Sequence, residues 1–279
     1  MREGNGEIKT IKRPYHKIGL ALGSGGAKGL AHIGIIKILE ANKIPIDFIA
    51  GSSIGAVIGG LYAATKNIKK VEEIFLSNNR RQLLKLIIDP SIKGGFISGD
   101  KFEIFLRNII EGVKFGDLKI PFTAVSTNLK TGKSVLINKG DVSLAIRSSM
   151  SVPLFFKPSK IGNCLLVDGG LSHPVPVEAV KNMGADFVIA VNLDAHCFYH
   201  NHGDRLGLSD VAHYTMSILR HHLSELSAQG ADIVVEPDIH NPSLIGWRDF
   251  LDGKKIIKKG EIAAKVLMPK LKKSLKEML

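Results

Sequence analysis

Between Lys17 and Thr65 the chain twice runs from an apolar, strand-length segment through a glycine cluster into a helix-length apolar segment. The first passage is Lys17 to Leu22, then Gly23-Ser24-Gly25-Gly26-Ala27-Lys28-Gly29, then Leu30 to Asn42. The second is Ile46 to Ala50, then Gly51-Ser52-Ser53-Ile54-Gly55, with a helix over Ile54 to Thr65. A helix between consecutive strands rules out a hairpin and demands a crossover, so this β-α-β-α order implies a parallel sheet covered by helices. The expected fold class is therefore α/β, a three-layer sandwich around a central, mainly parallel sheet.

Downstream, Ile68 to Ile110 carries amphipathic helical stretches broken by Asp89-Pro90 and by a loop over Lys93 to Gly99, and the 67–115 region is the natural cap over a site. Phe122 to Asn128 and Ser134 to Asn138 read as strands joined by the turn Lys130-Thr131-Gly132-Lys133. Leu144 to Met150 reads as a short helix, Cys164 to Val167 as a strand ending at Asp168-Gly169-Gly170, and Phe187 to Leu193 as a buried strand. A polar, histidine-bearing loop over Ala195 to Leu206 precedes a helix at Ser209 to Ala228 and a strand at Ile233 to Glu236. From Gly253 the pattern is a lysine-rich helix interrupted at Pro269. Residues 1–16 read as a flexible arm and residues 17–279 as one domain.

Composition narrows the function classes. No apolar run approaches the roughly 18 residues of a membrane span, and the N-terminus is charged, so the expected location is cytoplasmic. Cys164 and Cys197 are too few for a disulfide framework. The formal net charge of +12 suits an acidic partner. No nucleic-acid motif accompanies it, so peripheral contact with an anionic membrane surface is the better expectation and no nucleic acid is expected. The lysines from Lys254 to Lys276 alternate with apolar residues, as in an interfacial helix or in a helix packed on the domain with its charges in water.

Ser53 lies at a strand-to-helix turn flanked by Gly51 and Gly55, a nucleophile elbow in which the hydroxyl projects at a helix N-terminus. A serine there needs a base and an oxyanion hole. The loop from Gly23 to Gly29 can converge several backbone N–H groups on one point, an oxyanion hole in outline. It fits neither the dinucleotide pattern, since Lys28 stands at the third glycine, nor the P-loop, since Gly29 follows the lysine. Asp168 closes a strand before Gly169 and Gly170 and is the best candidate base, provided that it is partly desolvated and within reach of the serine. Asp194, His196, Cys197, His200 and His202 match no metal spacing and read as solvated loop residues. No cofactor and no metal is expected.

The stretches Gly-Ser-Gly-Gly-Ala-Lys-Gly-Leu-Ala-His-Ile-Gly at 23–34, Gly-Ser-Ser-Ile-Gly at 51–55, Ala-Ile-Arg-Ser-Ser-Met-Ser-Val-Pro at 145–153 and Asp-Gly-Gly-Leu-Ser-His-Pro-Val-Pro at 168–176 together resemble the patatin-like phospholipases, in particular their short bacterial branch. The resemblance implies a patatin-like fold and a Ser-Asp dyad with Ser53 as nucleophile and Asp168 as base. It also implies the amides of Ser24, Gly25 and Gly26 as oxyanion donors, and calcium-independent hydrolysis of phospholipid, lysophospholipid or acylglycerol esters through an acyl-serine. Ser24, Lys28 and His173 depart from the usual glycine, arginine and asparagine of that family. His173 leaves open an α/β-hydrolase-like Ser-Asp-His triad, and a catalytically weak lipid-binding protein is a further alternative.

Overall fold

The computed structural model describes residues 16–76, 98–196, 207–240 and 252–278. The expected arm, apart from its last residue, lies outside them, as do the Asp89-Pro90 break, most of the Lys93 to Gly99 loop, Cys197, His200 and His202. In chain order the first elements are β1 (Ile18–Leu22), a 3-10 turn (Gly26–Leu30), α1 (Ala31–Ala41), β2 (Phe48–Ser52), α2 (Ile54–Thr65), α3 (Ile68–Leu76) and α4 (Asp100–Ile109). There follow β3 (Phe122–Asn128), β4 (Ser134–Ile137), α5 (Val142–Ser149), β5 (Ser159–Ile161), β6 (Cys164–Asp168), α6 (Val177–Asn182) and β7 (Phe187–Val191). The chain closes with α7 (Leu208–Ala228), β8 (Ile233–Val235) and α8 (Gly253–Glu277).

The strands form one mixed sheet in the order β5-β6-β3-β2-β1-β7-β8, with β4 also paired to β3. The five strands β3, β2, β1, β7 and β8 are mutually parallel, and β4, β6 and β5 join antiparallel. Side chains alternate between the faces of a pleated strand, and the two apolar clusters follow that alternation. Leu20, Leu22, Ile49, Phe122 and Ile189 point into a large core with α1, α2 and α8. Ala21, Ala50, Val125, Val188 and Ala190 point into a smaller one with Val177 and Val180 of α6 and Ala228 of α7. The expected three-layer α/β sandwich is what the chain forms.

Two short elements were not legible in the sequence. The three-residue β5 is an edge strand whose only partner among the described residues is β6, and α6 is only six residues long; neither is long enough to carry a period. The expected interruption at Pro269 does not occur, because α8 runs through it. Proline removes one hydrogen bond in a helix interior, but Pro269 is exposed while the buried stripe Ala264, Met268, Leu271 continues across it. Packing on both sides holds the helix together. The flanking helices α3 and α4 bury Ile68, Val71, Phe102 and Leu106 in the main core. Among the described residues no helix is long and apolar enough to cross a membrane.

Candidate active site

Parallel strands carry their C-terminal ends to one edge of the sheet. Leu22 lies in register with both Gly51 and Val191, so the glycine loop after β1, the turn after β2 and the turn after β7 are neighbours. The opposing approach comes from β6. Val125 of β3 pairs with Ser52 of β2 on one edge and with Leu136 of β4 on the other. The next rung, Ser126, pairs with Asp168 of β6 and with Val135 of β4. Since β4 fills one edge of β3 at both rungs, β2 and β6 must share the other, running toward each other and ending on adjacent rungs. That head-to-head arrangement brings together residues 115 positions apart, and the Ser53 hydroxyl donates to Asp168 Oδ2 at 2.6 Å.

Ser53 has φ 55° and ψ −122°, a left-handed backbone for a residue with a side chain. Such a conformation costs on the order of 1–3 kcal/mol and survives only where its surroundings over-determine it. Here the Ser53 amide donates to Ser149 Oγ at 2.9 Å, and that hydroxyl donates to the Val125 carbonyl at 2.5 Å. Gly55 lets α2 approach β1, since a Cβ there would lie 2.1 Å from the Leu22 carbonyl oxygen. Asp168 is fixed as tightly: Oδ1 accepts from the Gly170 amide at 2.8 Å, its own amide donates to the Ser151 carbonyl at 2.9 Å, and its carbonyl accepts from Thr127 Oγ1 at 2.8 Å.

Burial disfavours the charged carboxylate and pushes Asp168 up to about 6, although bonds from Ser53 and Gly170 and the positive field of Arg220 pull the other way. Asp168 thus lies within hydrogen-bond reach of the serine and is desolvated. His173 is not part of the pair. Its Nε2 lies 3.5 Å from Glu178 Oε2, while the side-chain oxygens of Asp168 are engaged by Ser53 and Gly170.

The glycine loop borders the elbow, with Gly29 packed on Ile54 and Gly55 against the carbonyls of Leu22 and Gly23. One of its three expected donors is already engaged: the Ser24 amide donates to the Pro174 carbonyl at 2.8 Å. Gly25 and Gly26 have no such acceptor among the described residues. Ser24 thus serves to tie the loop to the segment after Asp168, and the expectation for its amide is corrected. His32, wholly buried, holds the loop from below through Nε2 and the Gly23 carbonyl at 2.8 Å; burial lowers it to about 4, so the ring is neutral.

A second correction concerns Asp194, read above as a solvated loop residue. It is 3% exposed and lies between Lys28 Nζ (2.6 Å) and Arg220 Nη2 (2.9 Å). Burial alone would raise it, but Arg220 and Lys28 hold it down to about 2. Sequence reasoning assigned no role to Ser149, Ser151 or Arg220. The serines lie within the 145–153 stretch, whose density of hydroxyls beside an arginine was the available signal. Nothing local pointed to Arg220.

A family model described as patatin-like phospholipase matches residues 20–181. An uncharacterised NTE family protein of Mycobacterium bovis is 41% identical over 179 residues, covering 64% of this chain and 49% of the relative. Lysophospholipase NTE1 of Candida albicans is 31% identical over 179 residues, covering 63% of this chain and 13% of that protein. The chain thus spans about half the length of the mycobacterial relative and a smaller share of the fungal one. Among solved structures, VipD from Legionella pneumophila superposes with a TM-score of 0.63 over 92% of this chain and 67% of that one, at 14% identity, a likeness of fold. The matched segment contains the glycine loop, the elbow serine and the aspartate that meets it, and on this ground the chain belongs to the patatin-like phospholipase family.

Proposed function

We propose that the protein hydrolyses acyl esters of lipids, phospholipid or lysophospholipid foremost, through a Ser53–Asp168 dyad. The observation that carries this reading is the 2.6 Å hydrogen bond from the Ser53 hydroxyl to a buried carboxylate at a strained strand-to-helix turn. Family membership and the lysophospholipase named among the relatives support the substrate class.

In this mechanism Asp168 takes the Ser53 proton as Oγ attacks the ester carbonyl. A base near 6 is stronger than an ordinary carboxylate and still mostly ionised at neutral pH. The tetrahedral oxyanion forms beside the loop amides of Gly25 and Gly26, whose preorganised dipoles stabilise the charge as it develops. Collapse breaks the C–O bond, and the leaving alkoxide receives the proton from Asp168, which frees the alcohol and leaves acyl-Ser53. Water then gives its proton to Asp168 and adds to the acyl carbon. The second collapse returns that proton to Ser53 and releases the fatty acid. The 67–115 segment supplies the acyl-binding cap in this reading, and neither metal nor cofactor takes part.

The test is labelling with a serine-reactive fluorophosphonate followed by peptide mapping, alongside turnover of a lysophospholipid. Wild type and His173→Ala should label at Ser53 and turn over, whereas Ser53→Ala should do neither and Asp168→Asn should lose at least about a hundredfold in kcat. Lipid association without turnover in wild type would favour a binding protein, and an inactive, folded His173→Ala would favour a triad.

A further inference from the structure

Behind the glycine loop lies a buried ion cluster centred on Asp194. Lys28, in the 3-10 turn that follows Gly25, is 8% exposed, and its Nζ donates to the Leu193 carbonyl at 2.7 Å and to Asp194 Oδ1 at 2.6 Å. Arg220, on α7, donates from Nη2 to both carboxylate oxygens of Asp194, at 3.0 and 2.9 Å. The turn is held further by the Asp194 amide, which donates to Asn192 Oδ1 at 3.0 Å, and by the His221 ring at 2.9 Å from the Asp194 carbonyl. The same turn touches the loop at a second point, because a Cβ at Gly25 would lie 2.9 Å from the Leu193 side chain. Leu193 and Asp194 therefore grip the loop on both sides of Gly26, one through apolar contact and the other through charge.

A buried ion pair yields little net stability, since desolvation consumes most of the Coulombic gain. What it does impose is geometry: a buried ammonium group must face its carboxylate, and a carboxylate shared by two cations has little freedom to turn. With the acyl-hydrolase reading of Ser53 as its premise, we infer that Asp194 and Arg220 are positioning residues for the oxyanion-binding loop. Arg220 orients Asp194, Asp194 holds Lys28, and Lys28 fixes the direction in which the Gly25 and Gly26 amides point. The cluster connects α7, a helix whose first turns are largely exposed, to the donors that meet the transition state. Arg220 also adds a positive field at Asp168, which bears on any ester alike, so the effect that passes through the placement of those donors is the part that differs between an oxo and a thiono ester.

The experiment compares a soluble p-nitrophenyl ester with its thiono analogue, whose thiocarbonyl sulfur is a poor hydrogen-bond acceptor and gains little from amide donors. Steady-state kinetics and thermal unfolding are measured for wild type, Arg220→Gln, Arg220→Lys and Asp194→Asn, with Ser53→Ala as the blank. For the oxo ester, Arg220→Gln should lower kcat about tenfold and Asp194→Asn about a hundredfold with KM little changed, since misplacing or losing one oxyanion donor costs on that order. The thiono ester should lose far less, and Arg220→Lys should recover most of the activity. Equal losses on both esters, or full kcat in folded Arg220→Gln, would overturn the proposal. Should Asp194→Asn fail to fold, Arg220→Gln, altered at a side chain that is 26% exposed, carries the test. Absence of Ser53-dependent turnover in wild type would instead overturn the acyl-hydrolase reading itself.

Discussion

At Ser53 and Asp168 the demands of stability and chemistry run in opposite directions. The left-handed backbone of Ser53 is cheap only for glycine, so Ser53→Gly should abolish turnover and stabilise the fold by about 1–2 kcal/mol, read as a raised midpoint in chemical denaturation. For Asp168, an unfolded chain releases the proton near 4, whereas the buried group holds it to about 6. Between those values the native state binds more protons, so stability should fall as pH rises through that window, by up to about 3 kcal/mol, and level off above it. Activity should do the reverse, with the acid limb of kcat/KM centred near 6 because only the carboxylate accepts the serine proton. Urea midpoints and kcat/KM from pH 4 to 8 check both curves, and Asp168→Asn should flatten the stability slope.

The elements are placed by close backbone approaches as much as by apolar stripes. α1 and α8 cross where each presents a glycine: a Cβ at Gly260 would lie 2.1 Å from the Ala31 carbonyl, and one at Gly34 would lie 2.0 Å from that of Ile257. Backbone cannot yield as a side chain can, so Gly260→Val should cost about 3 kcal/mol or more by denaturant unfolding. Because α1 begins directly after the glycine loop, the same change should also lower kcat. Pro269, exposed within α8, carries the opposite expectation. Pro269→Ala restores a donor to the Lys265 carbonyl and should stabilise the protein by about 1–3 kcal/mol, seen as a raised melting temperature. The sequence foretold α8 and its lysine-bearing face but not its continuity through the proline, since a local rule about one lost hydrogen bond omits the buried stripe on either side.

For the molecule as a whole, the net charge of +12 and the exposed lysines along α8, among them Lys254, Lys255, Lys265 and Lys272, favour a negative surface. Co-sedimentation should show retention on vesicles containing an anionic phospholipid, little on zwitterionic ones, and release as added salt shortens the screening length below about 10 Å.

What could be read without coordinates was whatever physics makes local: two strand-to-helix passages, their glycines, the elbow serine and the carboxylate before Gly169 each carry their signal within a few residues. The parallel pairing of β1 with β2 followed from the order of those passages, since neighbouring strands joined by a crossover helix run the same way. Three things had no local signal and were decided by the tertiary structure, the first of them foreseen only through the family resemblance. The meeting of Ser53 with Asp168 depends on β2 and β6 sharing one edge of β3, a pairing between segments more than a hundred positions apart that loop length does not encode. The loss of Ser24 as a free donor depends on Pro174 arriving opposite it. Asp194 looked solvated because it borders the polar, histidine-bearing loop, yet it is buried between groups of Lys28 and Arg220, distant in sequence. Sequence spacing determines which groups each segment carries, but burial, partnership and therefore pKa are properties of the space between segments, which only the folded chain defines.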